Sequence, residues 1–147
     1  MDYFDPFGSR FWTVIGFAVL CGSIVGLERQ LRGKPAGIRT SILVCLGSSV
    51  FIHLGSAISG PESDPTRVLG QLITGIGFLG AGVMFSHSGV VTGVTTAAVI
   101  WVLAAIGVAI GLERYGGALA LAVVTVAVLV GMEFLESSIK WLARGVH

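Results

Sequence analysis

Charge is scarce in this chain. Asp, Glu, Lys and Arg make up 12% of its 147 residues, against about 25% in a soluble domain. A net charge of +1 gives no preference for nucleic acid or acidic substrates. Cys21 and Cys45 are the only cysteines. Both lie in apolar runs without CxxC or Cys/His spacing, so they read as buried thiols and not as a disulfide or metal site. There is no HExxH, nucleophile–base pair or acidic metal cluster, so no enzyme is expected. No carboxylate falls near the middle of an apolar run, where proton and cation relays place one, which argues against an autonomous pump or secondary transporter.

What the chain does have is five long apolar runs, over residues 11–27, 38–57, 68–85, 94–110 and 115–135. Each has about the length a helix needs to cross a bilayer core of about 30 Å at 1.5 Å per residue. Mean hydropathy is +0.91. The expected fold is all-α: a polytopic transmembrane bundle of about five spans, with residues 1–147 forming one domain. Asp2 and Asp5 occupy the place of a basic n-region and no small-residue cleavage site follows, so the first run reads as a true span and not a signal peptide. Arg29, Arg32, Lys34, Arg39, Lys140 and Arg144 outnumber Arg10, Arg67 and Arg114 on the other side. That bias places the N-terminus outside and the C-terminus in the cytoplasm. Trp12, Tyr115 and Trp141 suit interfacial anchors. Trp101 lies inside the fourth span, where its indole needs a partner or a polar seam.

Glycine is abundant, at 22 residues. Spans in lipid associate through close backbone packing and polar contacts. Gly22 with Gly26, and Gly107 with Gly111, give small-xxx-small faces. Gly75, Gly77, Gly80 and Gly82 make the third span denser still, on two faces. Packing is the bland reading of these glycines; a locally unwound, ion-binding helix is the sharper one. The third span is expected to start with Asp64 as a cap and Pro65 at its first position. Residues 86–92 read as a tight turn, or as a break within the third and fourth spans.

Charges gather at the boundaries. Glu28, Arg29 and Arg39 fall at the cytoplasmic edge with Glu133 and Glu136, so Glu28, Glu133 or Glu136 would pair with Arg29, Arg32 or Arg39. Deeper lie Gln71, Thr74, Thr95, Thr96 and Thr125, with Ser48, Ser49 and His53; hydrogen bonding between helices accounts for them. His53 reads as an interfacial or packed histidine.

Several blocks together resemble the MgtC/SapB family: Gly26-Leu27-Glu28-Arg29, Ala36-Gly37-Ile38-Arg39-Thr40, Asp64-Pro65-Thr66-Arg67, residues 75–82 and Gly93-Val94-Thr95-Thr96-Ala97-Ala98-Val99-Ile100-Trp101. Their order and spacing match over about residues 12–135. The resemblance implies a bacterial inner-membrane protein linked to growth under magnesium limitation and, in some pathogens, to survival inside host cells. It carries over Glu28, Arg29, Gly37, Arg39, Thr40, Asp64, Arg67, Gln71, the four glycines of the third span, Thr95, Thr96 and Trp101. The longer members append an ACT-like cytoplasmic domain, so this chain is expected to be a short form without it. Thr92 stands where a basic residue often precedes the Gly-Val-Thr-Thr block, and Ser41 where a histidine commonly follows the Arg-Thr pair.

Two functions compete. One is a non-enzymatic modulator docking onto other integral membrane proteins through its glycine faces. The other is a small oligomeric channel or carrier for Mg²⁺ or another small solute, with Asp64, Arg67 and Gln71 at its outer mouth and Glu28 with Arg39 at its inner one. Neither needs a cofactor or a defined metal site, beyond a weak association with Mg²⁺. Lipid surrounds the bundle in both, and a homodimer or larger homo-oligomer is expected.

Overall fold

The computed structural model describes residues 5–58 and 66–138. Asp2, Asp64, Pro65, Lys140, Trp141 and Arg144 lie outside the described residues, and with them the expected cap of the third span, one anchor and the basic tail. Among the described residues five helices follow in order: α1 (Ser9–Leu31), α2 (Ile38–Ile58), α3 (Thr66–Gly82), α4 (Val94–Gly111) and α5 (Tyr115–Ser138). The fold is an all-α bundle, as expected. Between α3 and α4 it adds one small antiparallel hairpin, β1 (Phe85–His87) with β2 (Val90–Thr92).

Four of the helices, all but α3, are long and apolar enough to cross a membrane. The contacts settle how the chain runs. Gly26 meets Ile38, and Arg29 reaches Thr96, so the end of α1 and the starts of α2 and α4 share one end of the bundle. Gly111 meets Ser49 and Ile52, so α2 and α4 finish together at the other end. The link from α2 to α4 must therefore traverse the bundle. α3 does so antiparallel to α4, from Val68 beside Gly55 to Val83 beside Gly93. Its 17 residues span about 26 Å at 1.5 Å per residue. The third apolar run was expected to stay helical to residue 85, but the helix stops at Gly82 and Phe85 enters the hairpin. Ser88 and Gly89 both have positive φ (51° and 83°), the two-residue turn that matches strand twist.

The core lies between α1, α2, α4 and α5. Val14, Ala18, Cys21 and Val25 of α1 pack with Cys45, Leu103, Ile106, Ile110, Ala118 and Ala122. A smaller cluster of Ile76, Ile100 and Ala104 joins α3 to α4. Small residues set the spacing. A Cβ on Gly22 or Gly26 would sit 2.6 or 2.5 Å from the Cα of Ile42 or Ile38, and one on Gly107 would sit 2.5 Å from the Cys45 carbonyl oxygen. Gly93, at φ 87° before α4, presses so closely on the Val83 carbonyl that no side chain fits.

Candidate functional site

The end of the bundle where α1 and α5 finish and α4 begins gathers the buried Glu28 and Arg29. α1 continues past its apolar run to Leu31 because Glu28 and Arg32, four residues apart, bond across its last turn, Arg32 Nε donating to Glu28 Oε1 at 2.8 Å. The helix then closes on Gly33, whose left-handed φ of 63° lets Lys34 N–H reach back to the Arg29 carbonyl. Arg32 Nη1 also pairs with Glu133 Oε2 of α5. This guanidinium therefore ties α5 to α1.

Arg29 points elsewhere. It is 4% exposed, and its Nη2 donates to Thr96 Oγ1 at 2.8 Å. Burying a cation is costly unless its hydrogens are met, and here a neutral hydroxyl on the first turn of α4 meets one of them. Among the described residues, Glu28 Oε2 and Arg29 Nε have no hydrogen-bond partner. One carboxylate oxygen and one guanidinium N–H thus remain open in a nearly dry site.

The structure brings Glu28, Arg29 and Thr96 together and adds Arg32 and Glu133. Arg39, Thr40 and Thr95 are exposed, and Arg39 makes no ion pair among the described residues. Of the pairings expected at this edge, Glu28 and Glu133 both take Arg32, and Arg39, set with Glu28 at an inner mouth in the channel reading, stands apart. Glu136 is exposed and also stands apart. Gly37 packs on the Gln30 side chain, whose Oε1 accepts from Ile38 N–H at 3.4 Å. Arg67 and Gln71 lie exposed on α3, toward the other end from Glu28. Trp101 is 54% exposed and lines two apolar grooves beside α3, one with Leu72 and Ile76, the other with Gly80 and Ala97. Its indole has no hydrogen-bond partner among the described residues.

The glycines divide into two groups. Gly22, Gly26, Gly107 and Gly111 meet neighbouring backbone, whereas Gly75, Gly77 and Gly82 have nothing within 4 Å and Gly80 only touches Ala97. Sequence reasoning missed Gly55, which takes the Val68 side chain against α2. It also missed the Arg10–Glu113 pair at 3.7 Å. Opposite charges on the first turn of α1 and in the α4–α5 turn, both on the N-terminal side of the topology, were the available signal.

This is a polytopic helical membrane protein with a charged, largely dry cluster at one end and an uncovered glycine-rich helix on its flank. Residues 15–138 match the model of the MgtC family. Among its relatives, the Protein MgtC of Brucella abortus (strain 2308) is 48% identical over 94 residues, 64% of this chain and 39% of that protein. The Protein MgtC of Salmonella typhimurium (strain LT2) is 46% identical over 107 residues, 73% and 46% respectively. The chain spans less than half the length of these relatives. No solved structure matches it. The chain belongs to the MgtC family.

Proposed function

We propose that this protein is a non-enzymatic modulator of other integral membrane proteins, acting in the bacterial inner membrane under magnesium limitation. In this reading the N-terminus faces outward, the Glu28–Arg29 cluster faces the cytoplasm, and no resident cofactor is needed. The observation that carries the proposal is the contrast between the glycines. Gly22 and Gly26 of α1 and Gly107 and Gly111 of α4 are used up in packing within the chain, while Gly75, Gly77 and Gly82 of α3 face open space. Small residues let a second backbone approach closely in lipid. The occupant in this reading is another membrane protein or a second copy of the chain.

Growth of a deletion strain at limiting Mg²⁺ tests it. The wild-type chain should restore growth. Gly75→Leu and Gly77→Leu, which meet no neighbour within the chain, should reach the membrane at normal levels and fail to restore it. Full restoration by both variants would refute the docking face. A second reading is an oligomeric channel, supported by Gln71 and Thr74 on the exposed side of α3. Protein-dependent Mg²⁺ flux into liposomes, lost in Gln71→Leu, would favour it over docking.

A further inference from the structure

At the end of the bundle remote from Glu28, a cavity of about 390 Å³ opens among Arg10, His53, Ser56, Gly111 and Glu113. The docking face on α3 makes no use of it. The first clue is in the backbone. α1 and α4 end in the same motif, in which the N–H groups of two residues after the helix reach back to its last carbonyls. In α1 these are Gly33 to Gln30 and Lys34 to Arg29; in α4 they are Glu113 to Ile110 and Arg114 to Ala109. The motif needs a left-handed residue, and glycine takes that conformation without strain. α1 has Gly33 there, at φ 63°; α4 has Glu113, at φ 59°. Residues held in this region cluster at functional sites.

The second clue is where that side chain goes. The Glu113 carboxylate lines the cavity and faces Arg10 Nη1 at 3.7 Å. That distance is too long for a good hydrogen bond, so the pair is loose and both groups keep capacity for a ligand. The third clue is the floor. His53 is 6% exposed, and its Nδ1 lies 3.1 Å from the Gly111 carbonyl. A carbonyl only accepts, so Nδ1 carries the proton and the ring is fixed. The close contact of Gly111 with α2 is what brings the imidazole this near. The Ser56 hydroxyl donates to the Ile52 carbonyl and keeps lone pairs to accept.

Among the described residues the lining therefore holds one guanidinium and one carboxylate, close together and formally neutral as a pair. Arg10 and Glu113 lie two positions along the chain from Trp12 and Tyr115, aromatic types that mark the headgroup level of a membrane. A guanidinium suits a phosphate and a carboxylate suits an ammonium. An ethanolamine phospholipid carries both groups a few ångströms apart and no further charge. We propose that this cavity binds the headgroup of an ethanolamine phospholipid, Arg10 taking the phosphate and Glu113 the ammonium. A glycerol headgroup carries no ammonium to bring to Glu113. A choline headgroup has no N–H to give it.

Native mass spectrometry of the purified full chain tests this, by titration with ethanolamine, choline and glycerol phospholipids of identical acyl chains. The wild type should bind the ethanolamine lipid about tenfold or more tightly than the others, as expected for hydrogen bonds to charged groups. Arg10→Gln and Glu113→Gln should remove the preference. Glu113→Gly should lose it too while melting at a higher temperature than wild type, which separates binding from damage to the fold. Equal binding of all three lipids, or a preference that survives Glu113→Gln, would overturn the proposal. Soluble phosphoethanolamine binding as tightly as the lipid would overturn the assignment to a phospholipid.

Discussion

Gly26→Ala tests the packing account most sharply. The added Cβ would lie 2.5 Å from Ile38 Cα, 2.9 Å from Ile38 N and 3.0 Å from Ser41 Cβ. Two of these three atoms are backbone, so no rotamer change relieves the clash. Restoring a carbon–carbon separation of about 3.5–4.0 Å requires α1 and α2 to part by about 1 Å. The same movement would loosen Gly22 against Ile42, since both glycines sit on one face. Overpacking of this kind costs about 1–3 kcal/mol, and a clash with backbone belongs at the upper end. Gly75→Ala is the matched control, because nothing lies within 4 Å of it. It should be neutral or gain up to about 1 kcal/mol of helix propensity. Unfolding by SDS in mixed micelles, followed by circular dichroism, should therefore rank Gly75→Ala above wild type or level with it, and Gly26→Ala about 3 kcal/mol below. A Gly26→Ala protein as stable as Gly75→Ala would refute the close approach of α1 and α2.

Glu28→Gln should destabilise the same unfolding transition by about 1–3 kcal/mol, because it weakens a buried, charge-assisted bond to Arg32. Glu133→Gln should cost less than about 1 kcal/mol, since that partner is 57% exposed; the opposite ranking would disprove the burial argument. Single cysteines at Ser9 and Ser137 should react with a membrane-impermeant maleimide from opposite faces. Cys21 and Cys45, both buried, should stay unlabelled in the folded protein. Labelling of both introduced cysteines from one face would contradict a fifth crossing by α3.

Much of the architecture was legible because a bilayer imposes length and composition on each crossing. α2, α4 and α5 start at the residues where their apolar runs start, and α1 departs from its run by a few residues at each end. α3 was legible less well. Its run continues through Val83, Met84 and Phe85, and hydropathy alone does not separate a helix end from an apolar strand. The Ser88-Gly89 pair between Phe-Ser-His and the β-branched Val-Val-Thr was the local signal for a hairpin. The charged cluster was legible as a place but not as a set of bonds. Glu28 and Arg29 announced themselves at the edge of a span, yet adjacent helix residues point about 100° apart. They therefore find different partners, Arg32 with its tie to Glu133 in one case and Thr96 in the other. Arg39 looked equivalent to Arg32 in sequence. It starts α2 on an exposed side, whereas Arg32 continues the buried stripe of Val14, Ala18, Cys21, Val25 and Glu28.

The thin attachment of α5 bears on how the molecule is made. Of its described residues only Ala118 and Ala122 are fully buried, whereas α4 contacts each of the other four helices. A nascent chain released into the bilayer would therefore complete most of its interior once α4 has entered. The last helix would then arrive at an already shaped surface, slide its two alanines against it and fasten its foot through Arg32.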